Sequence, residues 1–469
     1  MLVLDKKSNL LEENDFQYPL QDVKDPQLFR DMFEYKQVPK VSFNHRVVPM
    51  NMPEDIWMTD TTFRDGQQSR APFTSKQIVD LFKFENKLGG PNGLIRQSEF
   101  FVYTAKDREA VEQCLALGYK FPEITTWIRA SESDFELIKK IGVKETGILV
   151  SCSDYHIFKK MNLTRSKAID KYLGVVKMAL DKGIRPRCHF EDITRADFYG
   201  FVVPFASELK KLMDETKIPI KIRICDTMGY GISYPGAALP RSVQGIVYGL
   251  RFYAGFSSEL LEWHGHNDFY KAVTNSVTAW LYGCSSVNAS LLGLGERTGN
   301  CPLEAMAIEY AQLKGNTGGM DLSVITEIAN YFEKEIKYHI PSKTPFVGRN
   351  FNATRAGIHA DGLLKDEEIY NIFDTQHILN RPAVVLVDAH SGLAGIAHWI
   401  NAHFAIDADN KIDKKDKIIV KIKEYIDDEF AKGRVTTYGD NELEAIIKEI
   451  DPELHHSLCY DISSKKNKK

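Results

Sequence analysis

From about residue 56, the sequence patterns of strands and helices alternate along the chain, and this alternation limits the folds that the chain can adopt. Short apolar or β-branched segments recur, and longer amphipathic stretches with a Ser start and a Gly stop separate them. The eight candidate strands span residues 56–63, 94–101, 123–130, 146–152, 185–192, 220–227, 260–266 and 285–292. Eight strands that alternate with helices over roughly 250 residues predict a parallel (β/α)8 barrel, a TIM barrel of the α/β class. An open doubly wound sheet is the alternative, but no G-x-G-x-x-G motif opens its first unit.

The sequence on either side of this rhythm predicts two further parts. Residues 1–50 have no sustained period and are expected to form an N-terminal extension, with the barrel over residues 51–320. Residues 321–469 combine a helix, a turn-rich stretch, a short strand with a Gly turn, and charged helices. This pattern predicts a linker followed by a small C-terminal α/β subdomain that is mostly helical.

Composition and charge argue against several classes of protein. The chain has 469 residues, and its formal charge of −4 gives no broad attraction for nucleic acid or an anionic membrane. No apolar run is long enough to span a bilayer, and the N-terminus does not resemble a signal peptide. The 7 cysteines are dispersed without C-x-x-C spacing, which predicts reduced thiols. We therefore expect a cytoplasmic globular protein with no nucleic-acid or membrane partner.

Polar residues cluster where the first and seventh strands end. Arg64, Asp65 and Gly66 follow the first strand, and His264 and His266 lie two residues apart on the seventh. In a closed barrel only strand eight separates these two strands, so Asp65 is expected to approach both histidines. An H-x-H pair is often structural, and "RDG" alone is often a surface turn. Two imidazoles and a carboxylate at one barrel mouth instead favour a divalent metal site with open positions.

The fifth and eighth strands carry further polar groups. Arg187, His189 and Glu191 alternate along strand five and therefore share a face, where buried charge is costly unless it is paired or used. Thr227 ends the sixth strand. After strand eight, "GLGERTGN" (293–300) has the glycines that permit close approach to a phosphate-bearing ligand, or that simply make a tight turn.

Five motifs in order resemble a known enzyme family. "TDTTFRDGQQ", "HFEDITRAD", "CDTMG", "HGHND" and "GLGERTGNCPLE" are similar to those of the metal-dependent acyl-CoA condensing enzymes, over about residues 56–400. That family includes the isopropylmalate, homocitrate, citramalate and Re-type citrate synthases. Related biotin-dependent carboxyltransferases need a lysine on strand six, where this chain has Cys225, and acyl-CoA lyases carry a "GGCP" loop that it lacks. The resemblance therefore implies synthesis of a carbon–carbon bond by an acyltransferase.

The resemblance also implies the cofactor, the partners and the roles of individual residues. A divalent ion (Mn²⁺, Mg²⁺ or Zn²⁺) would bind Asp65, His264, His266 and Asn300, and a 2-oxo acid and acetyl-CoA would be the substrates. Catalytic roles fall to three residues: Arg64 stabilises the developing alkoxide, Glu191 lies beside the keto acid, and His359 takes part in removing the methyl proton. The remaining expected contacts are Gln68, Arg187, His189 and Thr227 to the keto acid, and Gly293, Gly295, Glu296 and Arg297 to CoA.

The family resemblance further implies a homodimer in which His359 often serves the partner subunit. A tyrosine assists this histidine in many isopropylmalate synthases, but Arg381 stands at the matching place in this chain. Asn267 and Asp268, next to the histidine pair, are expected to orient the metal ligands rather than to bind the ion.

The choice of 2-oxo acid depends on strand five. A buried Arg187 suits a second carboxylate and fits poorly in the apolar pocket that isopropylmalate synthesis needs. His189 stands where homocitrate synthases have a small hydroxyl residue, and a bulkier side chain should shorten the pocket. The sequence therefore favours oxaloacetate, giving citrate as in Re-type citrate synthases. Homocitrate synthesis from 2-oxoglutarate is the alternative, followed by isopropylmalate or citramalate synthesis. In a different class, a non-catalytic barrel could bind acyl-CoA or a dicarboxylate, but it would not need His359.

Overall fold

A computed structural model describes residues 2–5, 10–13, 17–129, 131–354, 357–404, 406 and 410–466 of the chain. These residues form two compact units, Met1–Leu322 and Ser323–Lys469. The first unit contains the barrel, and the second contains the C-terminal helices. Within the described residues, no helix is both long enough and apolar enough to cross a membrane.

Eight parallel strands close into the predicted barrel, in which each strand pairs with the next and β8 pairs with β1. The strands are β1 Trp57–Asp60, β2 Ile95–Phe100, β3 Glu123–Ile128, β4 Glu145–Ser151, β5 Arg185–Glu191, β6 Lys221–Asp226, β7 Leu261–Gly265 and β8 Ser286–Ala289. At the closure, Ala289 lies opposite Asp60 and Asn288 lies opposite His264. The TIM-barrel prediction is confirmed, and the open sheet is excluded.

A helix follows each barrel strand. The eight helices are α1 Ser75–Gly89, α2 Ala105–Ala116, α3 Glu132–Ile141, α4 Arg165–Asp181, α5 Val203–Thr216, α6 Val243–Phe252, α7 Ala272–Tyr282 and α8 Leu303–Lys314. Thr74, Thr104 and Ser131 cap the first three through reciprocal hydrogen bonds with the third helical residue. These capping boxes satisfy backbone N–H groups that a helix start leaves unpaired.

The first strand ends three residues earlier than its sequence predicts. The Asp60 carboxylate accepts hydrogen bonds from the backbone N–H and the hydroxyl of Thr62, so the chain turns there. Thr62–Gly66 then forms a short π-helical turn at the carboxyl end of β1. This turn, rather than the strand itself, carries Arg64 and Asp65.

Charged side chains fill part of the barrel interior, where branched apolar residues are usual. Each belongs to a layer of paired ions: Glu99, Glu145, Arg187, Arg223 and Glu262. Gly147 makes room for this layer, because a β-carbon there would lie 2.6 Å from His189 Nε2 and 3.0 Å from Glu99 Oε1. The buried charges in the barrel therefore offset their desolvation by forming ion pairs with one another.

The N-terminal segment runs along the barrel unit. A two-stranded antiparallel hairpin pairs Leu2–Asp5 with Leu10–Glu13. Further along, Gln21 N–H donates to Gly200 O at 2.9 Å, and Ala238 N–H donates to Ser42 O at 2.9 Å. The described part of residues 17–50 is thus tied to the barrel by backbone hydrogen bonds.

The second unit is mostly helical. Its helices are α9 Val324–Lys334, α10 Gly357–Lys365, α11 Thr375–Leu379, α12 Leu393–His403, α13 Lys417–Ala431, α14 Asp440–Ile450 and α15 Pro452–Lys466. Two short parallel strands, β9 Ala353–Thr354 and β10 Val384–Val385, pair within it. An apolar core joins α12, α13, α14 and α15 through residues such as Ile400, Ile422, Ile447 and Leu458.

Candidate active site

Asp65, His264 and His266 meet at the carboxyl end of the barrel. One ligand atom from each, a carboxylate oxygen or an imidazole nitrogen, lies within 4.8 Å of the other two, and all three residues are buried. The two Nε2 atoms of the histidines are 3.4 Å apart, and His266 Nε2 is 3.8 Å from Asp65 Oδ2. The barrel closure thus brings the first and seventh strand ends together, as the sequence predicted.

The charge states of these groups suit a cation. Burial opposes ionisation of Asp65, but Arg64, His264 and His266 hold the pKa of its carboxyl below its ordinary value. Burial lowers the pKa of both His264 and His266, so their rings are neutral at pH 7. Two neutral imidazoles beside a carboxylate form a donor set that divalent transition metals accept. The residues present therefore fit the implied divalent ion.

Asn288 on β8 orients His264. Its Oδ1 lies 2.8 Å from His264 Nδ1, so the ring donates there and keeps the Nε2 lone pair for the cluster. Asn267 and Asp268, which were expected to play this part, have other hydrogen-bond partners, and their orienting role stays a prediction. Asn267 Oδ1 accepts from Ala272 N–H at the start of α7, and Asp268 pairs with Arg297 at 2.9 Å. Sequence reasoning missed Asn288 because an asparagine inside a strand carries no motif.

The glycine-rich loop after β8 folds around Asn300. Asn300 Nδ2 donates to Asp65 Oδ2 at 2.7 Å and to Leu294 O, while its buried Oδ1 has no hydrogen-bond partner among the described residues. A β-carbon at Gly295 would lie 2.6 Å from Asn300 Nδ2, and Gly293 adopts φ of +65°. These two glycines therefore allow the close packing that places Asn300 beside Asp65. Direct ligation by Asn300 stays a prediction.

Two other loop residues were assigned to CoA. Arg297 donates to Asp268 and to the carbonyl of Thr227, so it joins three strand ends, and Glu296 is exposed. CoA contact by Gly293, Gly295, Glu296 and Arg297 stays a prediction. Gln68, expected to contact the keto acid, is exposed just after the π-helical turn.

Glu99 on β2 holds Arg64 in place. Arg64 Nε donates to Glu99 Oε2 at 3.0 Å, and its NH1 donates to Asp65 Oδ1 at 2.7 Å. Burial alone would raise the pKa of Glu99, but Arg223, Arg64 and Arg187 outweigh it and hold that pKa well below its ordinary value. The guanidinium of Arg64 is therefore fixed next to the three-residue cluster. The sequence around Glu99, "QSEF" (97–100), gives no indication of this role.

Arg187 has internal partners for its charge. Its guanidinium donates to Glu99 at 2.6 Å, to Glu145 at 3.0 Å and to Thr125 Oγ1 at 3.1 Å, and it is fully buried. The argument that its burial calls for a substrate carboxylate is therefore wrong, since two glutamates supply the counter-charge. Direct contact between Arg187 and a substrate stays a prediction without that support.

His189 lies between Arg187 and Arg64. His189 Nδ1 is 3.4 Å from Arg64 NH2, and its Nε2 is 3.4 Å from Arg187 Nε. Burial lowers its pKa to about 3, aided by Arg223, so the ring is neutral. The imidazole is buried in the barrel interior next to Arg64. Its contact with the keto acid stays a prediction.

Glu191 and Thr227 lie at the same end of the barrel. Glu191 accepts from Ser151 Oγ, and its Oε2 lies 3.1 Å from His156 Nδ1 and 3.7 Å from Lys160 Nζ. Burial would raise its pKa, but His156, Ser151 and Lys160 lower it to about 2. Thr227 Oγ1 accepts from Asp192 N–H at 2.8 Å. His156 and Lys160, four residues apart after β4, escaped the sequence analysis because they form no recognised motif.

His359 lies on α10 in the second unit and is exposed. The ring of Tyr370 packs against it, with centroids 4.5 Å apart. Arg381, which stands where the tyrosine was expected, donates to Gly348 O and lies over the Phe351 ring. A tyrosine therefore accompanies His359 after all, from a different place in the sequence.

Two curated relatives resemble nearly the whole chain. A protein named Citrate (Re)-synthase from Clostridium kluyveri is 58% identical over 439 residues, which cover 94% of this chain and 97% of that protein. A second Citrate (Re)-synthase, from Syntrophus aciditrophicus, is 57% identical over 442 residues, covering 94% of this chain and 70% of that protein.

A solved structure and a family profile agree with the barrel. The crystal structure of hydroxymethylglutaryl-CoA lyase from Pseudomonas aeruginosa superposes with a TM-score of 0.50 at 16% identity, covering 62% of this chain and 96% of that one. At this identity the likeness concerns the fold alone. The profile of the HMGL-like family matches residues 55–332, which include every barrel strand and the whole three-residue cluster. The chain belongs to the HMGL-like family.

Proposed function

We propose that this protein is a Re-type citrate synthase, which condenses acetyl-CoA with oxaloacetate to give citrate and CoA. The observation that carries the proposal is the 58% identity to a Citrate (Re)-synthase over 97% of that relative's length. The cluster of Asp65, His264 and His266 at the barrel mouth, with Arg64 beside it, gives this activity a chemical basis.

Asp65, His264 and His266 would hold a divalent ion, whose contribution when bound is to polarise the keto group of the 2-oxo acid. Asn288 keeps His264 in the tautomer that presents Nε2, and Asn300 donates to Asp65 and so fixes that carboxylate. Both supporting residues are buried.

Arg64 would stabilise the negative charge that develops on the keto oxygen as the new carbon–carbon bond forms. Its guanidinium is held between Glu99 and Asp65, so little reorganisation is needed when that charge appears. Burial favours loss of its proton, but Glu99 and Asp65 raise the pKa of Arg64 above its ordinary value. The side chain therefore remains a cation throughout the reaction.

His359 would accept the proton that the methyl group of acetyl-CoA must lose. The resulting carbon nucleophile attacks the keto carbon, the keto oxygen becomes the hydroxyl of the product, and water then cleaves the thioester to release CoA. Tyr370 lies against the imidazole and would position it. We further propose that the enzyme is a cytoplasmic homodimer in which His359 serves the barrel of the partner subunit.

Oxaloacetate is preferred over 2-oxoglutarate in this proposal because of His189. Its imidazole fills the barrel beside Arg64, where a smaller side chain would leave room for the longer substrate. The two acids differ by one methylene, so steric discrimination of about 10–200-fold is expected. Homocitrate synthesis is the alternative that the same assay tests.

The experiment measures CoA release from acetyl-CoA with oxaloacetate, 2-oxoglutarate, pyruvate or 2-oxoisovalerate, with and without EDTA. We expect the highest kcat/KM with oxaloacetate and loss of turnover in EDTA. Best turnover with 2-oxoglutarate would replace citrate synthase by homocitrate synthase. No release with any of the four acids would support a binding protein instead of an enzyme.

The face of attack needs a separate experiment. Citrate made from acetyl-CoA labelled in its acetyl group would be cleaved with a citrate lyase that removes the arm added at the Si face. Addition to the Re face leaves the label in the oxaloacetate fragment. Label in the released acetate would contradict the Re assignment and leave the condensation itself intact.

A further inference from the structure

A second group of metal-ligating side chains lies in the C-terminal unit, on helices that carry none of the residues assigned to the condensation site. Glu444 on α14 and His455 and Cys459 on α15 each place one ligand atom within 4.8 Å of the other two. Asp451 alone connects these two helices. We call this group the α14–α15 cluster.

The spacing on α15 favours joint ligation. His455 and Cys459 are four residues apart, so both side chains project from the same face of the helix toward α14. His455 Nε2 lies 3.2 Å from Glu444 Oε1, and Cys459 Sγ lies 3.6 Å from His455 Nε2 and 3.9 Å from Glu444 Oε1. The three donor atoms therefore form a small triangle.

The dimensions of this triangle match one face of a tetrahedral zinc site. With ordinary zinc–ligand bond lengths, two nitrogen or oxygen ligands are about 3.3 Å apart, and a sulfur lies about 3.6 Å from either. The three separations in the cluster differ from these values by at most about 0.3 Å. No rearrangement of the helices is needed for all three donors to reach one ion.

A fourth residue steadies the carboxylate. His403, at the end of α12, places Nε2 3.4 Å from the other oxygen of Glu444, and its ring stacks on Trp399. It can thus orient Glu444 through the oxygen that faces away from the cluster. Partners of this kind orient ligands in known metal sites and tune their affinity.

The packing of α15 gives such a site a structural purpose. Among the residues of α15 whose side chains are described (452–460), Leu458 is the one buried in the core, and Leu454 and Cys459 are only partly buried. For residues 452–460, one buried leucine and a partly buried Leu454 are a small apolar attachment to the rest of the unit. A metal joining Glu444 to His455 and Cys459 would fasten α15 to α14.

We propose that Glu444, His455 and Cys459 form a second, structural site for Zn²⁺ or a similar thiolate-binding ion, with water completing the tetrahedron. Binding replaces the thiol proton of Cys459, which is released to solvent. The site is distinct from the condensation machinery, because none of its three ligands is among the residues assigned to that reaction.

The test uses the full-length protein with His266→Ala, so that the barrel cluster is disabled. Metal-free protein is titrated with Co²⁺, and the near-ultraviolet thiolate-to-cobalt charge-transfer band is recorded. We expect one equivalent of Co²⁺ to produce the band and Zn²⁺ to abolish it by displacement. Adding Cys459→Ser or His455→Ala should remove the band, whereas His456→Ala should keep it.

His456 is the matched control because it neighbours His455 on the same helix but is exposed and outside the cluster. Far-ultraviolet circular dichroism confirms that each variant is folded, and Glu444→Gln supplies a milder substitution should one variant unfold. The proposal is overturned if the His266→Ala protein gives no thiolate band. It is equally overturned if the band survives His455→Ala or Cys459→Ser.

Discussion

Among single residues, the candidate site depends on buried side chains that hold the predicted metal ligands and Arg64 in place. Asn288 and Glu99 hold His264 and Arg64 through short hydrogen bonds, and both are buried on barrel strands. Motifs identify the groups they hold because those groups follow strand ends in a distinctive order. Asn288 and Glu99 lie within strands, and their partners become apparent only from the strand register in the folded barrel.

Replacing Asn288 by alanine should weaken metal binding without unfolding the barrel. The substitution removes the acceptor for His264 Nδ1–H, so the ring loses the contact that fixes its tautomer and orientation. Losses of about 10–100-fold in affinity are typical for such partners. Competition with a metal chelator would measure the change, and Asn267→Ala is the control, since that side chain caps α7. Equal affinities for wild type and Asn288→Ala would contradict the orienting role.

Arg187 illustrates what the sequence does and does not predict about a single buried charge. The sequence places it correctly in the barrel interior and raises the right question, namely what pairs its charge. Its partners, Glu99 and Glu145, come from strands two and four, and no spacing along the chain connects them to strand five. Ion pairs between residues far apart in the sequence, such as these, cannot be predicted from one sequence alone.

At the scale of elements, the strand–helix rhythm predicts all eight barrel strands to within a few residues. The largest differences lie at β1 and β8, which both end three residues before the predicted strand does. At β1, hydrogen bonds to Asp60 end the strand before the apolar pattern does. The sequence does not reveal that Asp60 and Glu85 on α1 are buried together. Burial raises the pKa of Asp60 to about 7, and burial with the nearby Asp60 charge raises that of Glu85 well above its ordinary value.

This carboxyl pair predicts a specific dependence of stability on pH. A carboxyl with a raised pKa holds its proton when folded but loses it when unfolded, so the free energy of unfolding falls as pH rises above about 4.5. Glu85→Gln removes one such group and keeps a donor toward Asp60. We expect the free energy of unfolding of the variant, relative to that of wild type, to be higher at pH 8 than at pH 5 by more than about 1 kcal/mol.

Urea unfolding of the barrel unit at both pH values measures this difference. Glu109→Gln serves as a control for the loss of a carboxylate on a nearby exposed helix face. Parallel pH profiles for wild type and Glu85→Gln would show that the buried pair is ionised in the folded state.

At the scale of the whole molecule, the barrel cluster and His359 lie in different compact units. The proposed homodimer assigns His359 of one subunit to the barrel of the other. Each condensation site would then combine residues from both chains. Nothing in the sequence alone distinguishes this arrangement from one in which each chain completes its own site.

Mixing two inactive variants distinguishes the arrangements. His266→Ala disables the barrel cluster and should lose both metal and turnover, and His359→Ala should keep the metal and lose turnover. If sites are shared across the dimer, a mixed dimer has one intact site of two, so statistical exchange restores about a quarter of wild-type activity. Activity that stays at the level of the separate variants after verified subunit exchange would place His359 in its own chain's site.

In the proposed function, this chain makes citrate at the cluster of Asp65, His264 and His266. The most direct test measures citrate formed from acetyl-CoA and oxaloacetate by metal-stripped protein as Mn²⁺ is added back. We predict that citrate formation is absent without metal and rises to saturation at one equivalent bound to the barrel. It should not return in His266→Ala at any Mn²⁺ concentration. Citrate formation that is unchanged by metal removal, or undiminished in His266→Ala, would show that this cluster is not the site of a metal-dependent condensation.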